Sequence, residues 1–189
     1  TRARLHFSRQ DMRNFTFRQR FKVIYAPFNS LLLLTLDQDF ADCMNAVTRH
    51  LDDQGTFVVE AFAMADDDQV ADSETVTYLE IEPDSGATVT RTRDYSFDPT
   101  TRSALSDLSY TLEHGSGRVD EIRFQYVLQL YRTTQLLDRL KKYGFSIRNV
   151  YDAVTGQKYT RDSDGLVVVC GLHGHDDFDG DGTVTQFRE

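Results

Sequence analysis

No apolar run in this 189-residue chain approaches the roughly 18 residues needed to cross a bilayer; Leu31 to Leu34 is a four-residue patch. No charged, apolar, small-residue leader opens it, so the default expectation is a cytoplasmic protein that does not enter a membrane. A basic surface is lacking too. With a net charge of -9, the chain is not expected to bind nucleic acid in general, because phosphate contacts need cations that release counterions. Only two cysteines occur, Cys43 in a helical pattern and Cys170 in an apolar run, and both read as small core residues rather than a disulfide or a metal site. Glycine is absent before Gly55, which leaves the first part of the chain without a Gly-rich turn of the kind that lets backbone approach a nucleotide cofactor.

What is present is ample material for a folded domain: 40% hydrophobic residues, with 13 Phe and 9 Tyr. Arg4 to Gln10 partly alternates and gives a weak strand signal ending at Asp11. Phe21 to Ala26, Phe-Lys-Val-Ile-Tyr-Ala, is apolar at nearly every position, as in a strand covered on both faces, and Pro27 stops it. Between Thr35 and Leu51 the residues Leu36, Phe40, Cys43, Met44, Val47 and Leu51 recur every three or four positions, which predicts an amphipathic helix. Thr35 and Gln38 fit a capping box at its start. Gly55 then precedes a second buried strand, Thr56 to Phe62, so strand, helix and strand make one right-handed βαβ unit.

After an Asp-rich linker from Ala63 to Glu74 the pattern changes. Thr75–Glu82, Ala87–Phe97, Arg102–Glu113 and Asp120–Tyr131 alternate and are separated by turn residues, which predicts an antiparallel sheet. A helix follows at Thr133–Tyr143 with Gly144 as its stop, then strands at Phe145–Tyr151 and Leu166–Cys170 joined by a loop, an antiparallel hairpin at a sheet edge. The organisation expected is an α/β core from residues 1–62 and 132–172, an inserted antiparallel β-sheet at 63–131, and an acidic tail at 173–189.

Three stretches carry a family resemblance. Gln10-Asp-Met-Arg-Asn-Phe15 is similar to the Gly-Asp-Met-Arg-Asp-Phe segment of class I S-adenosylmethionine-dependent methyltransferases, and Tyr25-Ala-Pro-Phe-Asn-Ser30 looks like the motif after the next strand of that fold. Val59-Glu-Ala-Phe62 resembles the strand beyond it, and the inserted sheet looks most like that of glycine and amino-sugar N-methyltransferases. The resemblance implies a partial Rossmann-like methyltransferase sheet with a C-terminal antiparallel hairpin, S-adenosylmethionine as cofactor, and a small-molecule amine or hydroxyl as methyl acceptor. It also implies roles. Asp11 would accept from the adenine amino group, Met12 would pack on the ring, and Tyr25 and Ala26 would flank the methionine end of the cofactor. Tyr25, Asn29 and Glu60 would position the acceptor, with Glu60 taking its proton; no metal is required.

The Gly-rich turn and the acidic ribose-binding strand of that fold are missing from these residues, so the expectation is a truncated form, completed by an upstream segment or another chain, or a homo-oligomer pairing its exposed strand edge. The alternative is a catalytically inactive, methyltransferase-like binding or interaction protein. His114, Tyr126 and Tyr131 are further candidates to reach a substrate, although packing is the plainer role for aromatics on alternating strands. In the tail, Asp177, Asp179, Asp181, Gly182 and Val184 have calcium-loop spacing, but Arg188 stands where a bidentate Glu is needed; His173 and His175 make at most a weak metal site.

Overall fold

The computed structural model describes residues 5–62, 64, 73–81 and 86–172. The calcium-like spacing, His173, His175 and the rest of the acidic tail lie outside the described residues, as do most of the Asp-rich linker and the turn before Gly86. In chain order the elements are β1 (Phe21–Ala26), a 3-10 turn (Ser30–Leu33), α1 (Asp37–His50), β2 (Leu51–Phe62), β3 (Ser73–Ile81), β4 (Thr88–Asp98), β5 (Ser103–Glu113), β6 (Val119–Gln129), α2 (Thr133–Lys142), β7 (Phe145–Asp152) and β8 (Gly165–Leu172).

These strands form two four-stranded sheets. In the first, with order β1-β2-β8-β7, β1 and β2 run parallel and the remaining pairs antiparallel; the second is the antiparallel meander β3-β4-β5-β6. The parallel pair needs a crossover, which α1 provides. Both helices cover one face of the first sheet. Phe57, Val59 and Ala61 of β2, Leu166, Val168 and Cys170 of β8, and Phe145 of β7 are buried with Phe40, Cys43, Met44 and Val47 of α1 and Leu136 and Leu140 of α2. The core continues into the second sheet through Ala104 and Leu128, and into the segment after β6 through Leu130.

Where the chain leaves the first sheet and returns to it, the two crossings are tied. Thr133 N–H donates to the Met64 carbonyl at 2.9 Å, Met64 N–H donates to Thr133 Oγ1 at 3.3 Å, and that oxygen lies 3.1 Å from the Tyr159 hydroxyl. A buried polar cluster with every member partnered fixes this junction in one geometry.

Four expectations from the sequence need correction. No strand forms over residues 5–10: Leu5 and Phe7 are 78% and 93% exposed, since no described strand offers the segment a ladder. β1 is not covered on both faces. It is the edge strand of its sheet among the described residues, with Ile24 and Ala26 turned to the core and Val23 and Tyr25 60% and 51% exposed. Apolar composition alone cannot tell which face of an edge strand a helix will cover. The start of α1 also differs: Leu36 occupies the N-cap with no side-chain cap bond, and Gln38 Nε2 donates to Asp42 Oδ1 at 2.8 Å, one turn on. Leu36 therefore points away from the core stripe instead of into it.

Finally, β2 begins at Leu51, immediately after α1, and not at Thr56. Gly55 makes this tight entry possible, because a Cβ there would lie 2.8 Å from the Asp52 carbonyl oxygen and 2.8 Å from the Leu51 side chain. Gly144, at φ 86°, ends α2 as its sequence position predicts. No helix among the described residues is long and apolar enough to cross a membrane.

Candidate functional site

The carboxyl ends of β1 and β2 lie side by side, with Tyr25 opposite Val58 and Ala26 opposite Val59 in register. Alternation along each strand sends Tyr25 and Glu60 to the same face, the one no described helix covers. There the Tyr25 hydroxyl donates to Glu60 Oε2. The bond to this carboxylate raises the Tyr25 pKa above its ordinary value, with desolvation adding to the shift, so Tyr25 stays a proton donor at neutral pH.

The loop leaving β1 is held in an unusual shape. Phe28 and Asn29 both adopt left-handed backbone conformations, at φ 49° and 62°, although neither is glycine. Asn tolerates that region; a bulky Phe does so only when its surroundings impose it. The surroundings here are hydrogen bonds to the end of β2. Asn29 N–H donates to the Glu60 carbonyl at 3.2 Å, and Asn29 Oδ1 accepts from Phe62 N–H at 2.7 Å. Pro27 stops the strand, and its carbonyl takes the Ser30 N–H at 3.0 Å to close the turn.

This loop forms one wall of a cleft of about 650 Å³ between the two sheets. Phe28, Asn29 and Leu33 line it from the loop, Phe62 from the end of β2 and Asp164 from the residue just before β8. The opposite wall is the inner face of the second sheet, with Arg93 and Tyr95 from β4 and Phe124 and Tyr126 from β6. Three aromatic rings stack in series along that face, Tyr110 to Phe124 at 6.0 Å and Phe124 to Tyr126 at 6.5 Å.

Asp11 and Met12 sit in the segment that packs on α1. The Arg13 guanidinium holds the Asp11 carboxylate at 2.7 Å and reaches Asp39 at 3.0 Å. Hydrogen bonds from the Arg13 side chain, then from its backbone N–H, pull the Asp11 pKa down to about 2. Met12 is half-buried against the core. The segment is anchored from behind by His50, whose Nδ1 lies 2.8 Å from the Ala46 carbonyl, leaving Nε2 to accept from Phe17 N–H at 3.0 Å.

Tyr25, Ala26, Asn29 and Glu60 are thus brought together at the strand ends. Asp11 and Met12 occupy a separate segment, with no hydrogen bond or ion pair to that group among the described residues. Of the aromatic candidates, Tyr126 lines the cleft. Tyr131 packs 6.2 Å from Phe40, and His114 is bound to Asp120 at 3.0 Å in the far hairpin. Sequence reading had Phe28 and Phe62 inside two of the motifs without singling them out, and it missed Arg93, Tyr95 and Asp164. Period-two alternation puts Arg93 and Tyr95 on one face of β4, but which face meets the cleft is decided by how the sheet docks.

No protein-family model and no curated protein sequence matches the chain. Solved structures do. An S-adenosylmethionine-dependent methyltransferase from Clostridium acetobutylicum superposes with a TM-score of 0.73 at 17% identity, over 88% of this chain and 64% of that one. The chain carries the fold of S-adenosylmethionine-dependent methyltransferases. The CcbJ methyltransferase from Streptomyces caelestis shares this methyltransferase fold, with TM-score 0.68 at 20% identity over 86% of this chain and 62% of its own. CalS10, an amino pentose methyltransferase from Micromonospora echinaspora with S-adenosylmethionine bound, gives 0.62 at 18% identity over 85% and 62%. The chain thus spans somewhat less than two thirds of the length of these methyltransferases.

Proposed function

We propose that this chain is part of an S-adenosylmethionine-dependent methyltransferase that transfers a methyl group to a small-molecule amine or hydroxyl. The observation that carries the reading is the cleft at the carboxyl ends of β1 and β2, roofed by the second sheet and walled by a strained loop, on a methyltransferase fold. Ligands of open α/β sheets bind at strand carboxyl ends, and strained backbone is concentrated at functional sites.

The residues fit the cofactor in chemical type. Asp11 is held ionised, hence acceptor-only, which suits an exocyclic amino group, and Met12 offers a half-buried thioether beside it. Ala26 is small and Tyr25 stands on the open face at the strand end, where the methionine portion would lie. S-adenosylmethionine, when bound, supplies a methyl carbon on a sulfonium sulfur. The chain's own contribution is to align the acceptor and exclude water, the main sources of acceleration for an in-line displacement. Asn29, fixed by two hydrogen bonds, orients the acceptor; Glu60, paired with Tyr25, receives the proton that the acceptor sheds.

Among the described residues the sheet face is open and the edge of β1 is unpaired, with Val23 and Tyr25 exposed, which supports the further reading that the site is completed by another segment or by a second copy. The rival reading, a binding protein on the same fold, predicts no cofactor affinity. Calorimetric titration of the chain with S-adenosylhomocysteine separates the two: saturable binding weakened by Asp11→Ala supports the enzyme, and no heat at millimolar ligand refutes it for this chain alone.

A further inference from the structure

The cleft contains a single cationic side chain among the described residues that line it, Arg93, and no ion pair among the described residues neutralises it. Arg93 projects from the middle of β4, opposite Leu108, which in turn lies opposite Phe124. Its Nε is buried without a hydrogen-bond partner, and Arg93 takes part in none of the ion pairs among the described residues. Its neighbour on the same face is treated differently: Arg91 lies 4.2 Å above the Tyr78 ring and is accounted for by packing. The other charge in the cleft, Asp164, stands on the opposite wall beside Gly165 and makes no ion pair with Arg93.

A guanidinium with a buried, unpartnered N–H costs stability unless a ligand supplies the acceptor. Its planar fork matches the paired oxygens of a carboxylate or phosphate, and the low dielectric of an aromatic-walled cleft strengthens that bond. We infer that the molecule bound in this cleft carries an oxyanion, a carboxylate or a phosphate, on an apolar or aromatic body, and that Arg93 selects for it. The ring series Phe124–Tyr126 and the Phe28 and Phe62 side chains receive the body; Arg93 receives the anion. The inference rests on reading the cleft as the acceptor site, and it is independent of whether methyl transfer occurs.

The test uses three probes of one shape on the 189-residue chain: phenyl phosphate, benzoate and the neutral benzyl alcohol, followed by amide chemical-shift titration. The expected result is that at least one anion binds about tenfold or more tightly than benzyl alcohol, with the shifts centred on β4 and β6, and that Arg93→Met abolishes this preference. Arg93→Lys, which keeps the charge but not the fork, should retain only part of it. Preference for phenyl phosphate alone identifies a phosphate ester as the ligand class, and preference for benzoate alone a carboxylic acid. Wild-type protein that binds all three probes alike, or none, overturns the inference without recourse to any variant, as does a preference that survives in Arg93→Met. Titrating S-adenosylhomocysteine into the same samples keeps the two questions apart. Cofactor binding without anion preference sinks only the role of Arg93; anion preference without cofactor binding sinks only the methyltransferase reading.

Discussion

Replacing Asn29 separates two contributions that the loop after β1 combines. Its backbone sits at φ 62°, and its Oδ1 accepts the Phe62 N–H at 2.7 Å. In Asn29→Ala both are lost: about 1 kcal/mol for holding a Cβ-bearing residue without a polar side chain in the left-handed region, and about 1 kcal/mol for the hydrogen bond. The sum, about 2 kcal/mol, corresponds to a fall in Tm of roughly 4–8 °C for a domain of this size. Asn29→Gly removes only the hydrogen bond, because glycine takes the left-handed conformation freely, and should cost about half as much. Asn29→Asp keeps both the acceptor and the tolerance of that conformation and should lie within about 0.5 kcal/mol of the parent. Urea melts of the three variants give the order directly. A cost for Ala no greater than for Gly, or Asp as damaging as Ala, would refute the account of the loop. Since Asn29→Asp preserves the loop while exchanging the amide donor for an oxygen, it also tests the proposed contact of Asn29 with a methyl acceptor apart from the residue's structural part.

Two further outcomes follow from the carboxylates and the thiols. Asp11, through Arg13, and Asp152, through the Thr155 N–H first and then the Ser163 and Thr155 side chains, are both lowered to about 2. Their folded-state values lie below the unfolded ones, so their stabilisation is present above the unfolded value and is lost as pH falls from about 4 through about 2. Urea melts across that range should show a steep loss that Asp152→Asn makes shallower; equal slopes in parent and variant would contradict the assignment. Burial pushes the Cys43 and Cys170 thiols up to about 12. Native protein at pH 8 should therefore react with a disulfide reagent at least roughly a thousandfold more slowly than free cysteine, and both thiols should react at once in urea. A fast-reacting thiol in the native state would show that one of these helices or strands opens.

Most elements of the fold were legible in the sequence because their signals are local. The three- and four-residue spacing of Phe40, Cys43, Met44 and Val47 specifies a helix stripe whatever lies beneath it, and Gly144 marks the end of α2 because only its backbone takes φ 86° at little cost. The turn residues between alternating runs likewise foretold four antiparallel strands, now seen as β3 to β6 within a residue or two of their expected bounds at most ends. Tyr25, Asn29 and Glu60 were legible as a group because a parallel pair joined by one helix must bring its two carboxyl ends together.

What the sequence by itself determined, then, is the succession of elements and the chemistry available at the ends of β1 and β2, since helix and strand periods, turn residues and strand-stopping Pro27 act over a few residues. Only the tertiary structure decided which faces are covered and what meets across the cleft. Phe21–Ala26 reads as a doubly buried strand, yet Val23 and Tyr25 face outward, because coverage depends on where α1 and α2 pack and not on the strand's own composition. Arg93 reads as one polar residue in an alternating run. Its place opposite the Asn29 loop arises from the docking of one sheet on the other through Ala104, Leu128 and Leu130, contacts between residues far apart in the chain that no local pattern encodes.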